Sequence, residues 1–354
     1  MTEPDACNPY AGLPQDAFWR SAVAGRDMQT LGAFHRPKFT IDRSTKVAMA
    51  GSCFAHRIGR QLRARGFTII DEEPGPPGLT PEEEARYGFG LYSARYGNIY
   101  TARQLRQLVQ EAFEEFTPGD PIWRRGDQVF DALRPTVEPD GLKTAQAVRQ
   151  QRRYHLRRVR EVISSAEVFV FTLGLSETWI HAATGTVYPT APGVVCGAFD
   201  PAKHQFKNLS AAETHADLSA FFSLARRHNP GLKLVLTVSP QRPTATATGQ
   251  HVLVAAAYSK AVLRAAAGQL ASERDDVDYF PSYELVTNPL AGNRYFNANL
   301  RTVTEEGAAV AVDAFLGSYA AGVADQPAEP PPADPGDAEE DVVCEEELLQ
   351  AFAP

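Results

Sequence analysis

A chain of 354 residues, 44% hydrophobic and 22% charged, has room for one large packed domain or two small ones. It shows none of the bias of a disordered or fibrous sequence. Its formal charge of −8 is concentrated at the end. Ten carboxylates lie between Asp325 and Glu347, no Lys or Arg follows Arg301, and the remainder carries 35 basic against 33 acidic residues. So balanced a body argues against nucleic acid as a partner.

The start is acidic and lacks an apolar core segment, which argues against a secretion signal. No apolar run approaches the ~20 residues of a membrane helix. Together these point to a cytoplasmic protein with no membrane partner. Cys7, Cys53, Cys196 and Cys344 are scattered without a CxxC pair, so neither a disulfide framework nor a metal site is expected.

Residues 1–40 read as a polar, irregular lead-in. Residues 46–50 form a short apolar run that reads as a buried strand. From 54 to 65, Phe54, Ile58 and Leu62 recur at helical spacing. Gly66 stops that helix, and 67–70 reads as a second strand. A Pro/Gly/Glu loop follows, then a helix from Thr101 and another over 145–164. Further strands are expected at 168–173, 232–238 and 277–280, as continuous apolar runs suited to burial on both faces. Helices over 211–228 and 251–272 lie between them, and one over 304–321 closes the fold. Five strands with crossover helices make a doubly wound α/β domain over 41–321, with a five-stranded parallel sheet in order 2-1-3-4-5 and helices on both faces. Residues 322–354 form an acidic, Pro-rich tail that is disordered at 325–341, with a short terminal helix at 345–352.

Such a sheet presents its ligand site beyond the carboxyl ends of the strands. These ends carry Gly51-Ser52-Cys53, Gly174-Leu175-Ser176-Glu177, Ser239-Pro240 and Pro281-Ser282-Tyr283-Glu284. Ser52 stands where a tight turn enters a helix, so its hydroxyl can act as a nucleophile beside amides that stabilise an oxyanion. The competing role is that of a helix cap. Cys53 reads as a buried structural thiol, with a low-pKa thiolate the alternative. Trp123, Trp179 and Tyr188 read as core, with sugar stacking the alternative. The basic run Arg152 to Arg158 reads as a solvated helix face. No Walker loop and no G-x-G-x-x-G follows the first strand, so no cofactor is expected.

Gly51-Ser52-Cys53-Phe54-Ala55 is, letter for letter, the motif of the GSCFA family, which resembles the SGNH/GDSL hydrolases. Segments 96–101, 172–179, 237–240, 258–260 and 279–284 also resemble family segments, in order. The resemblance spans roughly residues 8 to 320. It implies a flavodoxin-like, SGNH-type fold and an esterase or O-acyltransferase acting on a small-molecule, glycan or polyol ester. Ser52 takes the nucleophile's place, and Gly97, Asn98, Gly174, Ser176 and Glu177 fall where an oxyanion hole forms. The sequence departs from the SGNH pattern where the catalytic Asp-x-x-His belongs. Asn299 and Thr302 stand there, and the last histidine of the chain is His251. His251 is therefore the first candidate base, at the end of a loop opening at Ser239. His56, His204, Glu177 and Glu284 are alternatives, and His204 can instead line a substrate cleft. The competing readings are a binding module without turnover, and a scaffold whose C-terminal segment takes a protein partner.

Overall fold

The computed structural model describes residues 8–27, 34–320 and 345–353. The lead-in contains a 3-10 turn at Gln15–Ala17 and a π turn at Arg20–Ala24. Strand β1 (Val47–Ala50) is buried throughout and runs into helix α1 (Cys53–Ala64). The short helix α2 (Pro81–Arg86) is set by a Thr80/Glu83 capping box. Helix α3 (Ala102–Ala112) is capped by the Thr101 hydroxyl. A hairpin of β2 (Ile122–Arg125) and β3 (Gln128–Asp131) precedes α4 (Ala145–Ser165) and the wholly buried β4 (Val168–Leu173).

Next comes an antiparallel sheet formed by β5 (Glu177–His181), β6 (Val187–Tyr188) and β7 (His204–Asn208). The chain then alternates through α5 (Ala211–His228), β8 (Lys233–Val238), α6 (Val252–Glu273) and β9 (Val277–Tyr279). Helices α7 (Ser282–Thr287) and α8 (Glu305–Tyr319) complete the body.

The central sheet is parallel, in the order β1-β4-β8-β9, with Ala50 opposite Phe171 and Leu173 opposite Val238. Alternate strand residues enter two cores. Ala48, Phe169, Phe171 and Leu236 pack with α3 to α6, while Met49, Val168, Val170 and Val235 pack with α1 and α8. Full burial of each phenylalanine contributes roughly 1.5–3 kcal/mol, so covering both faces is what makes the continuous apolar strands stable.

Four strands replace the five expected. Residues 67–70 contribute one parallel bridge, Val47 to Ile69, because Ser93 takes the next edge positions of β1. Its amide donates to the Met49 carbonyl at 3.3 Å, and its hydroxyl accepts from the Met49 amide at 2.9 Å. With those groups satisfied, the second strand has nothing left to pair with.

The basic run is a second correction. Arg153 and Arg157 are exposed, but Arg152 and His155 point inward and are buried. Arg152 pairs with Asp131 and Glu111, and His155 Nδ1 lies 2.6 Å from Glu73. Trp123 and Tyr188 are core residues, packed at 4.8 Å between ring centroids. The segment read as disordered, 325–341, lies outside the described residues. Beyond it, within the stretch 345–352 expected to hold a short helix, a short 3-10 helix, Glu347–Phe352, rests on the body. Among the described residues, no helix is long and apolar enough to cross a membrane.

Candidate active site

The register of the parallel sheet brings the ends of β1, β4 and β8 to one edge. A small pocket there is lined by Ser52, Cys53, Tyr100, Gly174, Ser239 and Glu346, among others. Gly51 makes the turn at φ 151°, and a Cβ on it would lie 2.8 Å from Ala55 Cβ and 2.9 Å from both Thr172 Cβ and the Thr172 carbonyl. Only glycine allows β1 to enter α1 this closely.

Ser52 occupies the N-cap position of α1, yet its side chain makes no capping hydrogen bond. Its carbonyl accepts from Ala55 at 2.8 Å, so the backbone does the capping. Ser52 as a residue is 6% exposed, and its hydroxyl is not spent on the helix. Helix geometry leaves the first amides of α1 without intrahelical acceptors, and their dipoles favour negative charge beside Ser52.

Asn98 is held against this turn from the neighbouring loop, because the Ile99 amide donates to the Gly51 carbonyl at 2.8 Å. The buried Asn98 amide is oriented by Tyr92, whose hydroxyl donates to Oδ1 at 3.0 Å, and Cys53 Sγ lies 3.9 Å from the same oxygen. Its Nδ2 donates to Glu345 Oε2 at 2.7 Å. Gly97, at φ 68°, shapes the loop one residue earlier.

A buried ionic cluster supports the loop from behind. Glu73 accepts from the Arg95 amide at 2.9 Å, and Arg134 donates to the Arg95 carbonyl at 2.9 Å. Burial pushes the His155 imidazole down to about 4, so it is neutral at pH 7. Its Nδ1–H then donates to Glu73, which suits an Nε2 with no partner among the described residues.

The remaining candidates fall around this centre in different roles. The Gly174 and Leu175 amides both donate to the Tyr100 carbonyl at 3.0 Å. The turn expected to supply oxyanion donors therefore spends these amides on anchoring the Asn98 loop. Ser176 is structural: its amide donates to Ser259 Oγ at 2.9 Å, and its hydroxyl donates to Asn208 Oδ1 at 2.7 Å. Glu177 accepts from Thr246 Oγ1 at 2.8 Å and the Ala247 amide at 3.2 Å, so it ties down the 239–250 loop. Ser239 is buried at the pocket and accepts from the Gln241 amide at 3.2 Å.

His251 is exposed and caps α6, its Nδ1 accepting from Leu253 at 3.2 Å, and it does not line the Ser52 pocket. His204 is buried on β7 against Phe199 and Tyr188, with Nδ1 accepting from the Asp200 amide at 3.0 Å. His56 is half-buried beside Tyr92, and burial with Arg57, Arg60 and Arg63 pushes it down to about 3. Glu284 is paired with Arg264 and Tyr279. Cys53, read as a buried structural thiol, is only partly buried and lines the pocket.

Sequence reasoning missed Tyr100, Gln241, Lys260 and the terminal glutamates. Lys260 is buried with Nζ 2.8 Å from the Gly174 carbonyl, and burial pushes it down to about 7. Burial likewise pushes Glu346 up to about 7 against the pull of Arg301 and Lys260. Tyr100 and Lys260 belong to family-like segments, whereas nothing in the tail's composition marks Glu345 and Glu346 as site residues.

The turn, the loop and all of the pocket lining except Glu346 lie within the stretch from residue 46 to 315, which matches the sequence model of the GSCFA family. The chain belongs to the GSCFA family. Among curated proteins, none matches it. The GSCFA motif itself is the Gly51–Ala55 turn, so the family's namesake residues are those that place Ser52 at the pocket.

Proposed function

We propose that this GSCFA protein is an SGNH-like esterase or O-acyltransferase in which Ser52 attacks an acyl ester carbonyl. The observation that carries this reading is a pocket-lining serine at a helix N-terminus whose hydroxyl is not used as the cap. Attack would form a C–O bond from Ser52 Oγ and place the carbonyl electrons on an oxyanion. Asn98 Nδ2 and the first amides of α1 are the donors suited to receive it. Collapse breaks the ester C–O bond, the departing oxygen takes up the proton that Ser52 Oγ gave up on attack, and the acyl-serine left behind is resolved by water or an acceptor hydroxyl. A glycan or polyol ester is the substrate class the resemblance to SGNH enzymes suggests, and a cytoplasmic location is part of the same reading.

The test is labelling of the full chain with a fluorophosphonate probe. Ser52→Ala should abolish labelling. His251→Ala should retain it, because that imidazole caps α6 instead of lining the pocket. Loss in His251→Ala would restore it as the base. The second reading, a binding module without turnover, is favoured by one observation: among the described residues, no histidine lines the Ser52 pocket. A serine without a base forgoes roughly 10²–10⁴-fold of rate. A chain that takes no label either as wild type or with Glu345→Ala, which removes the contact to Asn98, would move this reading ahead.

A further inference from the structure

The pocket at Ser52 is filled from within the chain. Glu345 is fully buried, and its carboxylate meets three donors from two segments of the body. Oε2 accepts from Asn98 Nδ2 at 2.7 Å and Tyr100 OH at 2.9 Å, and Oε1 accepts from Thr136 Oγ1 at 2.7 Å. Asn98 and Tyr100 are themselves 3% and 2% exposed, so these donors form a built, water-poor receptor for a carboxylate. A buried carboxyl without such donors would cost several kcal/mol; burial pushes its pKa up, and the bonds from Thr136, Asn98 and Tyr100 pull against that shift.

The next residues extend the same contact. Glu346 lines the pocket beside Ser52, Glu347 pairs with Arg301 at 3.1 Å, and Leu349 and Phe352 border a cavity of about 590 Å³ with Val194 and Phe199. Beside Ser52 itself only about 10 Å³ is left open, scarcely the space of one water molecule. No acyl ester fits there while the segment is seated.

We propose that Asn98, Tyr100 and Thr136 form a carboxylate-binding subsite, and that residues 345–353 are its resident ligand in cis, closing the Ser52 pocket until a carboxylate-bearing ligand displaces them. That closure silences catalysis rests on the reading of Ser52 as nucleophile; the subsite and its occupancy do not. Tethering to the same chain gives the segment a high effective concentration, so modest intrinsic affinity suffices to hold it. The seated tail does not serve as the missing base, because it excludes the substrate that a base would act on.

The test uses the full chain and the thiol of Cys53, which lines the pocket whether or not Ser52 reacts. Iodoacetamide alkylation is followed by peptide mass spectrometry, with the buried Cys196 as an internal control for folding. Glu345→Ala should raise the Cys53 rate by about tenfold or more while Cys196 stays protected. A synthetic peptide of residues 345–353 added in trans should slow Cys53 again, and the same peptide with Gln at its first position should not. Equal Cys53 rates in wild type and Glu345→Ala would overturn the proposal. So would fluorophosphonate labelling of Ser52 that is present in wild type and lost in Glu345→Ala, since the tail would then supply the chemistry. If Cys196 also becomes reactive, Thr136→Val is judged by the same Cys53 criterion. Faster Cys53 alkylation with no Ser52 label in either protein would uphold the subsite and reject the nucleophile.

Discussion

Asp131→Ala should lower the unfolding free energy by about 3–5 kcal/mol, because it takes the shared carboxylate from two buried guanidinium groups. Asp131 Oδ2 lies 2.8 Å from Arg134 Nε and 3.0 Å from Arg152 Nη1, and Oδ1 accepts from the Leu133 amide at 3.0 Å. All three side chains are at most 9% exposed, so water cannot replace the lost carboxylate. Arg152 retains Glu111 as a partner, whereas among the described residues Arg134 keeps the Arg95 carbonyl and a 3.7 Å contact with Glu73. The comparison is Asp140→Ala, which removes a pair with Arg86 that is more than half exposed on both sides. It should cost less than about 1 kcal/mol. Urea unfolding midpoints measure both.

The same cluster dictates the acid response. Arg152 and Arg134 hold Asp131 down to about 2, and the contact with His155, Arg134 and the Arg95 amide hold the Glu73 carboxyl down to about 2, despite burial that opposes both shifts. A depressed carboxylate binds fewer protons folded than unfolded, so its contribution is present above the unfolded value and is lost as pH falls through the folded one. The window for these two is therefore from about pH 4.5 down to about 2. His155, neutral in the fold, adds acid destabilisation from about pH 6.5 down to about 4. Thermal unfolding temperatures should fall progressively through both windows, and Asp131→Ala should flatten the lower one. The fall should also disorder the Asn98 loop, since Glu73 and Arg134 hold Arg95 on its inner side.

Gly51→Ala should cost about 2–4 kcal/mol through strain and overpacking together. The new methyl would lie below 3 Å from Ala55 Cβ and from both the side chain and carbonyl of Thr172. Those atoms belong to α1 and β4, which cannot move without breaking the sheet register or the helix start. Gly66→Ala isolates the conformational part. Its φ is 80°, but its nearest neighbour would be 4.0 Å away, so only the left-handed backbone penalty of about 1–2 kcal/mol applies. Gly51→Ala should in addition lose fluorophosphonate labelling in whatever fraction remains folded, because Ser52 moves with the turn. Gly66→Ala should keep it.

Several parts of this arrangement were legible from residue order. The runs at 168–173 and 232–238 are apolar without alternation, which is how a strand covered on both faces must read. Helices begin where expected after Thr101, at 211 and after Thr304, and the structure adds that Thr101, Ser210 and Thr304 cap them. Gly51-Ser52 marked the turn from the first strand to its helix, and the GSCFA motif singled out the same residues. The β5–β7 sheet was not legible. Its strands mix polar and apolar residues, as Glu177 to His181 does, and their pairing partners are up to about thirty residues away. Arg152 and His155 were misplaced because helical spacing alone does not say which face meets Glu73, Glu111 and Asp131.

By itself, the sequence determined the local periods, the helix starts, the glycine turn and the family, because these depend on neighbours in the chain. Tertiary structure alone decided what depends on groups brought together from afar. Ser93 ends the sheet by taking the hydrogen bonds of β1, and buried carboxylates turn a basic stripe inward. Likewise, Glu345 is seated on Asn98 and Tyr100 across some 245 residues of chain. A carboxylate in an acidic tail and a carboxylate in a donor-lined pocket are the same letters, and only the three donors around it distinguish them.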